Sequence, residues 1–433
     1  MTTNTPPLPN LEPGAPPSGD SIPLCVPEIR GNEWQYIRDC LDTNWVSSVG
    51  KYVTHFEEKL ATYVGTQHAV ATSNGTAALH VALLVAGVEP DDEVLISALT
   101  FIAPANAVRY ASACPVFIDA EPRYWQMDTQ QVVDFLENGC HWKSGALFNK
   151  QTGRRVKAII PVHILGHPVD IDPILEAARK YDLTVIEDAT ESLGASYKGR
   201  NVGALGDIAC FSFNGNKIIT TGGGGMLVTD RDDFAEKARY LTTQAKDDPL
   251  EYIHHQVGYN YRLTNIQAAM GVAQLELLDE YIAIKMRIAK KYARAFADID
   301  GIHLIEQAEW ANSTFWLNTI LVDAAQYGLD SRQLMHKLAR NNIQSRPLWQ
   351  PLHRSPAYAD AVFSMPCPVA DLLNRDALSL PSSVGLRAQD QQRVIELLRA
   401  QISRCPPLEI FSVFLTTRRP FRRCWKLSRL CCG

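Results

Sequence analysis

Apolar positions along this chain follow two periods, and their alternation predicts the architecture. Short, nearly continuous apolar runs at 68–72, 93–97, 116–119, 158–162 and 184–187 read as strands buried on both faces. Segments 75–86 and 174–181 carry helical spacing instead. This interleaving predicts an α/β fold with a mostly parallel sheet sandwiched by helices. Further along, Ile266, Met270, Ala273, Leu277, Tyr281, Ile284, Ile288 and Tyr292 recur at three- and four-residue steps. That stripe predicts one long, continuous helix. Residues 300–409 read as a smaller α+β unit ending in a helix over 390–403. The expected division is therefore a large unit at 22–265, then the connecting helix and small unit at 266–409.

The two ends break the pattern. The first twenty residues hold six prolines and no Lys or Arg, so 1–21 is expected to be a disordered lead-in rather than a signal peptide. Residues 410–433 hold six basic residues and no acidic one, with Cys424, Cys431 and Cys432. A poorly ordered basic tail is the expectation there, with binding to an anionic surface as the alternative.

Composition narrows the function classes. With 433 residues, 46% hydrophobic and 21% charged, the chain has the profile of an ordinary globular protein. A net charge of −5 gives no electrostatic reason to expect nucleic acid as a partner. The longest apolar stretch, 77–88, includes His80 and falls well short of the roughly 20 residues a membrane span needs. Ten cysteines without CxxC or metal spacing point to reduced thiols and a cytoplasmic location. His163 and His167 stand four apart, but Gly166 and Pro168 argue against a helix there, so no metal site is expected.

Three local features lie where an α/β sheet places its ligands, beyond the carboxyl ends of strands. In the segment 72–78, small residues between strand and helix leave backbone amides free to hold a phosphate; plain N-capping by Ser73 or Asn74 is the alternative. Asp188 ends an apolar strand, where a carboxylate needs a cation or hydrogen-bond donors. It can hold a proton on a heterocyclic nitrogen or cap the next helix. Lys217 follows Ser212 by five residues and precedes the four glycines 222–225. Most lysines are solvated surface charges, but one shielded by apolar neighbours can act as a Schiff-base nucleophile. Cradle, strand-end Asp and Ser-x4-Lys, in this order, suit pyridoxal 5'-phosphate. The cradle takes the phosphate, the Asp the pyridine nitrogen, and the lysine the aldehyde carbon.

At the level of whole motifs the chain resembles the DegT/DnrJ/EryC1/StrS sugar aminotransferases, over roughly residues 22–409. The carrying motifs are TSNGTAALH (72–80), PANAV (104–108), FIDAEP (117–122), VIEDATESLGA (185–195), SFNGNKIITTGGGGM (212–226), GYNYRLTNIQAA (258–269) and RPLWQPLH (346–353). The resemblance implies an aspartate-aminotransferase-like fold (type I of the pyridoxal-phosphate enzymes). It implies Lys217 as Schiff-base lysine and proton carrier, and Asp188 as partner of the pyridine nitrogen. Gly75, Thr76 and Ser212 would contact the phosphate, and Phe101 would stack on the cofactor ring. Asn260 would reach the phosphate of a neighbouring subunit, which implies a homodimer. Trp45, Asn214 and Arg346 match segments near a nucleotide-sugar site. Glu191 stands where many members carry Gln or His beside the phenolic oxygen, and an ionised Glu there would oppose a phenolate.

The implied reaction is transfer of an amino group from an amino acid, L-glutamate, to C4 of a nucleotide-linked 4-keto-6-deoxy sugar. The form of the lysine motif is most similar to members acting on UDP-linked N-acetylated sugars, for surface-glycan or nonulosonic-acid synthesis. Another sugar position, another nucleotide (dTDP or GDP), or a ligand-sensing regulator are the alternatives. No DNA-reading segment supports the last.

Overall fold

The structure is a computed structural model that describes residues 21–248, 250–359 and 365–400. The lead-in 1–20, the tail 410–433 and positions 401–403 of the expected closing helix lie outside the described residues.

Alternate side chains of each strand enter different cores, because successive residues point to opposite faces. In Gly225–Thr229, Met226 and Val228 join one apolar cluster while Leu227 joins the other. In Thr184–Asp188, Val185 faces the first cluster and Ile186 the second. The first cluster is covered by helices Lys51–Val64, Asp172–Lys180 and Asn265–Leu275, and the second by Gly75–Val85, Ala103–Tyr110 and Asp232–Thr242. A sheet covered on both faces reads as continuous apolar runs, the pattern visible in the sequence.

The sheet has nine strands. Along its path they run His68–Thr72, Gly225–Thr229, Ile208–Ser212, Thr184–Asp188, Arg155–Ile160, Glu93–Ser97 and Cys114–Ile118. Gly225–Thr229 is antiparallel to both neighbours; the pairings from Ile208–Ser212 onward are parallel. The remaining two strands, Cys140–Lys143 and Ala146–Asn149, form a hairpin attached antiparallel to Arg155–Ile160. The hairpin and strand 225–229 carry no signal used in the sequence reading. The expected α/β sandwich is the fold observed.

One expectation is corrected. The predicted long helix is two helices, Asn265–Leu275 and Leu278–Phe296. Leu277 leaves helical geometry at φ −109° and ψ 2°. Polar anchors surround the break: Gln274 donates to the Glu28 carbonyl at 2.8 Å, and Glu276 accepts from Asn32 at 2.8 Å and Tyr36 at 3.0 Å. The apolar stripe continues across it because both helices bury one side, so periodicity alone does not register the break.

A second sheet, Ile302–Leu304, Asn318–Val322, Ala377–Leu380 and Arg346–Pro347, packs with Leu278–Phe296 and Ala388–Arg399 around its own apolar cluster. We propose the unit boundary near residue 265. Ile22 crosses it, pairing with Ile343 and entering the second unit's cluster.

Candidate active site

Three strand ends and one helix start converge on a cavity of about 410 Å³. Strand His68–Thr72 turns directly into helix Gly75–Val85, whose cap is Asn74: its side chain accepts the Ala77 amide at 2.8 Å. The amides of Gly75 and Thr76, first in the helix, have no intrahelical acceptor, and both residues line the cavity. Capping and anion binding are thus compatible, since Asn74 takes a later amide. The backbone around this turn is close-packed. A Cβ on Gly75 would lie 2.9 Å from Ser212 Cβ, and one on Gly225 would lie 2.5 Å from the Asn74 carbonyl.

Asp188 sits at the end of its strand, 2% exposed. One oxygen accepts the Thr190 amide at 3.1 Å, and no ion pair reaches it among the described residues. Burial pushes its carboxyl above the ordinary value, partly offset by hydrogen bonding to Thr190 and by the Lys217 charge. A buried carboxylate in this state fits a protonated ring nitrogen, and the helix start fits a phosphate. The residues present therefore suit pyridoxal phosphate.

Lys217 lies in the loop between Ile208–Ser212 and Gly225–Thr229. Its Nζ stands 3.4 Å from Glu191 Oε1 and 4.3 Å from the centre of a Trp316 ring. The second oxygen of Glu191 accepts the Leu165 amide at 2.9 Å. Burial raises the Glu191 carboxyl; the Lys217 charge and the Leu165 amide oppose this. Glu191 is thus a partner of the lysine, a relationship that its position in the motif did not disclose.

Behind this site, His163 and Glu187 are fully buried and 3.1 Å apart. Glu187 also accepts the amides of Gly203, Leu205 and Gly206. His163 Nδ1 accepts the Val169 amide at 2.9 Å, and His167 is bonded to Pro168 and Ala308. Both rings serve the fold, and burial pushes His167 down to about 4.

Of the residues singled out in the sequence, Gly75, Thr76, Phe101, Asp188, Glu191, Ser212, Asn214 and Lys217 line this cavity. Phe101 stands at its margin, 57% exposed. Asn260, Trp45 and Arg346 do not line it. Asn260 is exposed and bridges to Thr243. Trp45 is exposed, its carbonyl accepting from Asn265 at 2.7 Å. Arg346 is exposed and donates to the Ser345 carbonyl at 2.9 Å. The sequence reading missed Thr100 and Trp316; Asn216 and Trp349 stood in quoted motifs without being singled out. Trp316 has no local signal, because it arrives from the far side of the chain.

The sequence profile described as the DegT/DnrJ/EryC1/StrS aminotransferase family matches residues 27–399. A GDP-perosamine synthase of Caulobacter vibrioides is 42% identical over 380 residues, covering 87% of this chain and 97% of that protein. A GDP-perosamine synthase of Escherichia coli O157:H7 is 38% identical over 365 residues, covering 84% and 94%. Among solved structures, S. venezuelae DesV, in complex with a ketimine intermediate, superposes with a TM-score of 0.77 at 30% identity, covering 87% of this chain and 95% of that one. With a family match over most of its length and relatives of this identity, the chain belongs to the DegT/DnrJ/EryC1/StrS aminotransferase family.

Proposed function

We propose that this enzyme moves an amino group from an amino acid, L-glutamate, to C4 of a nucleotide-linked 4-keto-6-deoxy sugar. The observation that carries the reading is the convergence of Lys217, Asp188 and the Gly75 helix start on one cavity. Bound pyridoxal phosphate supplies an electron sink for the carbon that loses or gains a proton.

The chain's own residues divide the remaining work. Lys217 Nζ would hold the cofactor through its aldehyde carbon and, once released, would take the proton from the donor carbon and deliver one at sugar C4. Asp188 keeps the pyridine nitrogen protonated, which the buried carboxylate favours because the pair neutralises its charge. The Gly75 and Thr76 amides and Ser212 Oγ hold the phosphate, and Phe101 covers the ring. A homodimer is part of the reading: Asn260 is exposed and outside its own chain's cavity, which suits contact with the phosphate in a neighbouring subunit. Trp45 and Arg346, also outside the cavity, are assigned with Asn214 to the nucleotide-sugar approach. The six described cysteines are free thiols, which suits the cytoplasm as compartment.

For the nucleotide, relatives named as GDP-perosamine synthases favour a GDP-linked sugar over the UDP-linked N-acetylated sugar suggested by the lysine motif. The deciding experiment incubates the holoenzyme with L-glutamate and a panel of GDP-, UDP- and dTDP-4-keto-6-deoxy sugars, with product mass and NMR. Amination of the GDP sugar at C4 supports the reading. Amination of the UDP sugar alone reassigns the nucleotide, and absence of any aminated sugar overturns it.

A further inference from the structure

Trp316 belongs to the segment between strands Ala311–Asn312 and Asn318–Val322, on the side of the second sheet. It is 3% exposed, and its ring reaches the cavity 4.3 Å from Lys217 Nζ. Its indole N–H donates at 2.8 Å to the carbonyl of Asn216, the residue just before Lys217. Ring and lysine backbone are therefore tied together: displacing one strains the other's hydrogen bond. Cys25 Sγ donates to the same Asn216 carbonyl at 3.3 Å.

The far end of Trp316 is held just as firmly. Lys285 on helix Leu278–Phe296 donates to the Trp316 carbonyl at 2.9 Å and the Ser382 carbonyl at 2.7 Å, with Cys25 Sγ at 3.7 Å. Lys285 is 1% exposed, and no carboxylate pairs with it among the described residues. Burying an ammonium on two carbonyls and a thiol sulfur is costly, and burial indeed lowers its basicity. Gly166 completes the arrangement. At φ +89° it has room for no Cβ, since one would lie 2.8 Å from the Trp316 amide. Its neighbour Leu165 donates the amide that holds Glu191. The Gly166 carbonyl accepts the Thr314 amide at 3.0 Å and the Ser313 hydroxyl at 2.9 Å, so the turn that holds Glu191 and the segment that carries Trp316 are joined beside the amine.

We infer that Trp316 is a positioning residue for the Lys217 amine, and that Lys285 fixes Trp316 from behind. The inference rests on the aminotransferase reading of the site. The indole face and the Glu191 carboxylate define two directions for Nζ, leaving the third open to the cavity. An aromatic face on one side and a carboxylate on the other leave Nζ fewer directions than solvent would, so the amine is aimed into the cavity once substrate releases it from the cofactor.

The test uses purified holoenzyme and the half-reaction with L-glutamate, followed by loss of the yellow absorbance of the lysine-bound cofactor. Trp316→Leu removes the aromatic face and the N–H; Trp316→Phe restores the face alone; Lys285→Met removes the rear anchor. Each variant is first checked for cooperative melting and full cofactor loading. Trp316→Leu is expected to slow the saturated half-reaction by about tenfold or more, with KM for glutamate within about threefold of wild type. Lys285→Met, where it folds, should shift the rate in the same direction. Trp316→Phe should regain about a third or more of the wild-type rate. A Trp316→Leu rate within about twofold of wild type, a loss confined to KM, or a Trp316→Phe variant as slow as Trp316→Leu overturns the proposal. Failure of the reading beneath it is separable, because wild-type protein would then show no yellow form and no half-reaction.

Discussion

Buried Glu191 and part-buried Lys217 form a pair in which the carboxylate holds the amine, 3.4 Å away, with one oxygen and the Leu165 amide, 2.9 Å away, with the other. The amide belongs to a turn in which Leu165 itself adopts φ +60°, a left-handed conformation that a branched side chain rarely takes. Such backbone strain persists where the surroundings over-determine it, here to aim one carboxylate oxygen at the lysine. Replacing Lys217 by Ala should abolish the yellow absorbance and turnover together, while circular dichroism stays native. Retention of either signal would contradict the assignment of Lys217.

At Asp188 the proposed cofactor role and stability oppose each other. Its carboxyl is raised by burial, so the ionised form is disfavoured by the fold when no cofactor is present. Asp188→Asn should therefore raise the melting temperature of cofactor-free protein at pH 7.5 by roughly 2 °C and weaken cofactor retention. Scanning calorimetry of the apoprotein, beside absorbance titration with pyridoxal phosphate, checks both halves.

The cradle leaves no room for a methyl group at Gly75. Gly75→Ala places a Cβ 2.9 Å from Ser212 Cβ, so the strand end or the helix start must shift. Overpacking of this kind costs about 1–3 kcal/mol. The displaced amides should weaken phosphate binding most, so affinity for pyridoxal phosphate should fall more than affinity for pyridoxal. Equal losses for the two ligands would argue against a phosphate role.

Behind the sheet edge, Arg262 pairs with Glu57 at 2.5 Å, and Glu57 accepts the Ala71 amide at 2.7 Å. The side chains are 16% and 10% exposed. Removing one partner of a buried pair strands the other charge, at about 3 kcal/mol or more. Arg262→Ala should lower stability by that order in urea titrations. Replacing both residues by apolar ones should cost much less.

Acid stability depends on Glu187. Burial acts to raise its carboxyl, but the hydrogen bond and charge of His163 and the Gly206 and Gly203 amides outweigh it, holding the group below its ordinary 4.5. A depressed carboxyl stabilises the fold fully above its unfolded value, and that contribution is lost as pH falls through the folded value. Asp188 and Glu191, both raised, act in the opposite sense, gaining stability for the fold as they protonate. Melting temperatures from pH 6 down to 3 should thus fall more steeply in wild type than in Glu187→Gln; matching slopes would exclude the contribution.

The sequence by itself determined the parts that local physics controls. Continuous apolar runs gave the two-faced sheet, because a strand covered on both sides has no polar alternation to show. Gly75 and the strand-end Asp188 marked the cavity, because close backbone approach and buried charge restrict residue choice locally. Lys217, which lines the same cavity, stood out through its order relative to Ser212 and the glycines. Tertiary structure decided which distant segments close the cavity. Trp316 reaches Lys217 from 99 residues away in sequence, held by Lys285 and the Gly166 turn. It also decided the break at Leu277, where polar anchors from Asn32, Tyr36 and Glu28 flank an interruption that the apolar stripe crosses unchanged. Periodicity records which face of an element is buried; only packing fixes what it is buried against.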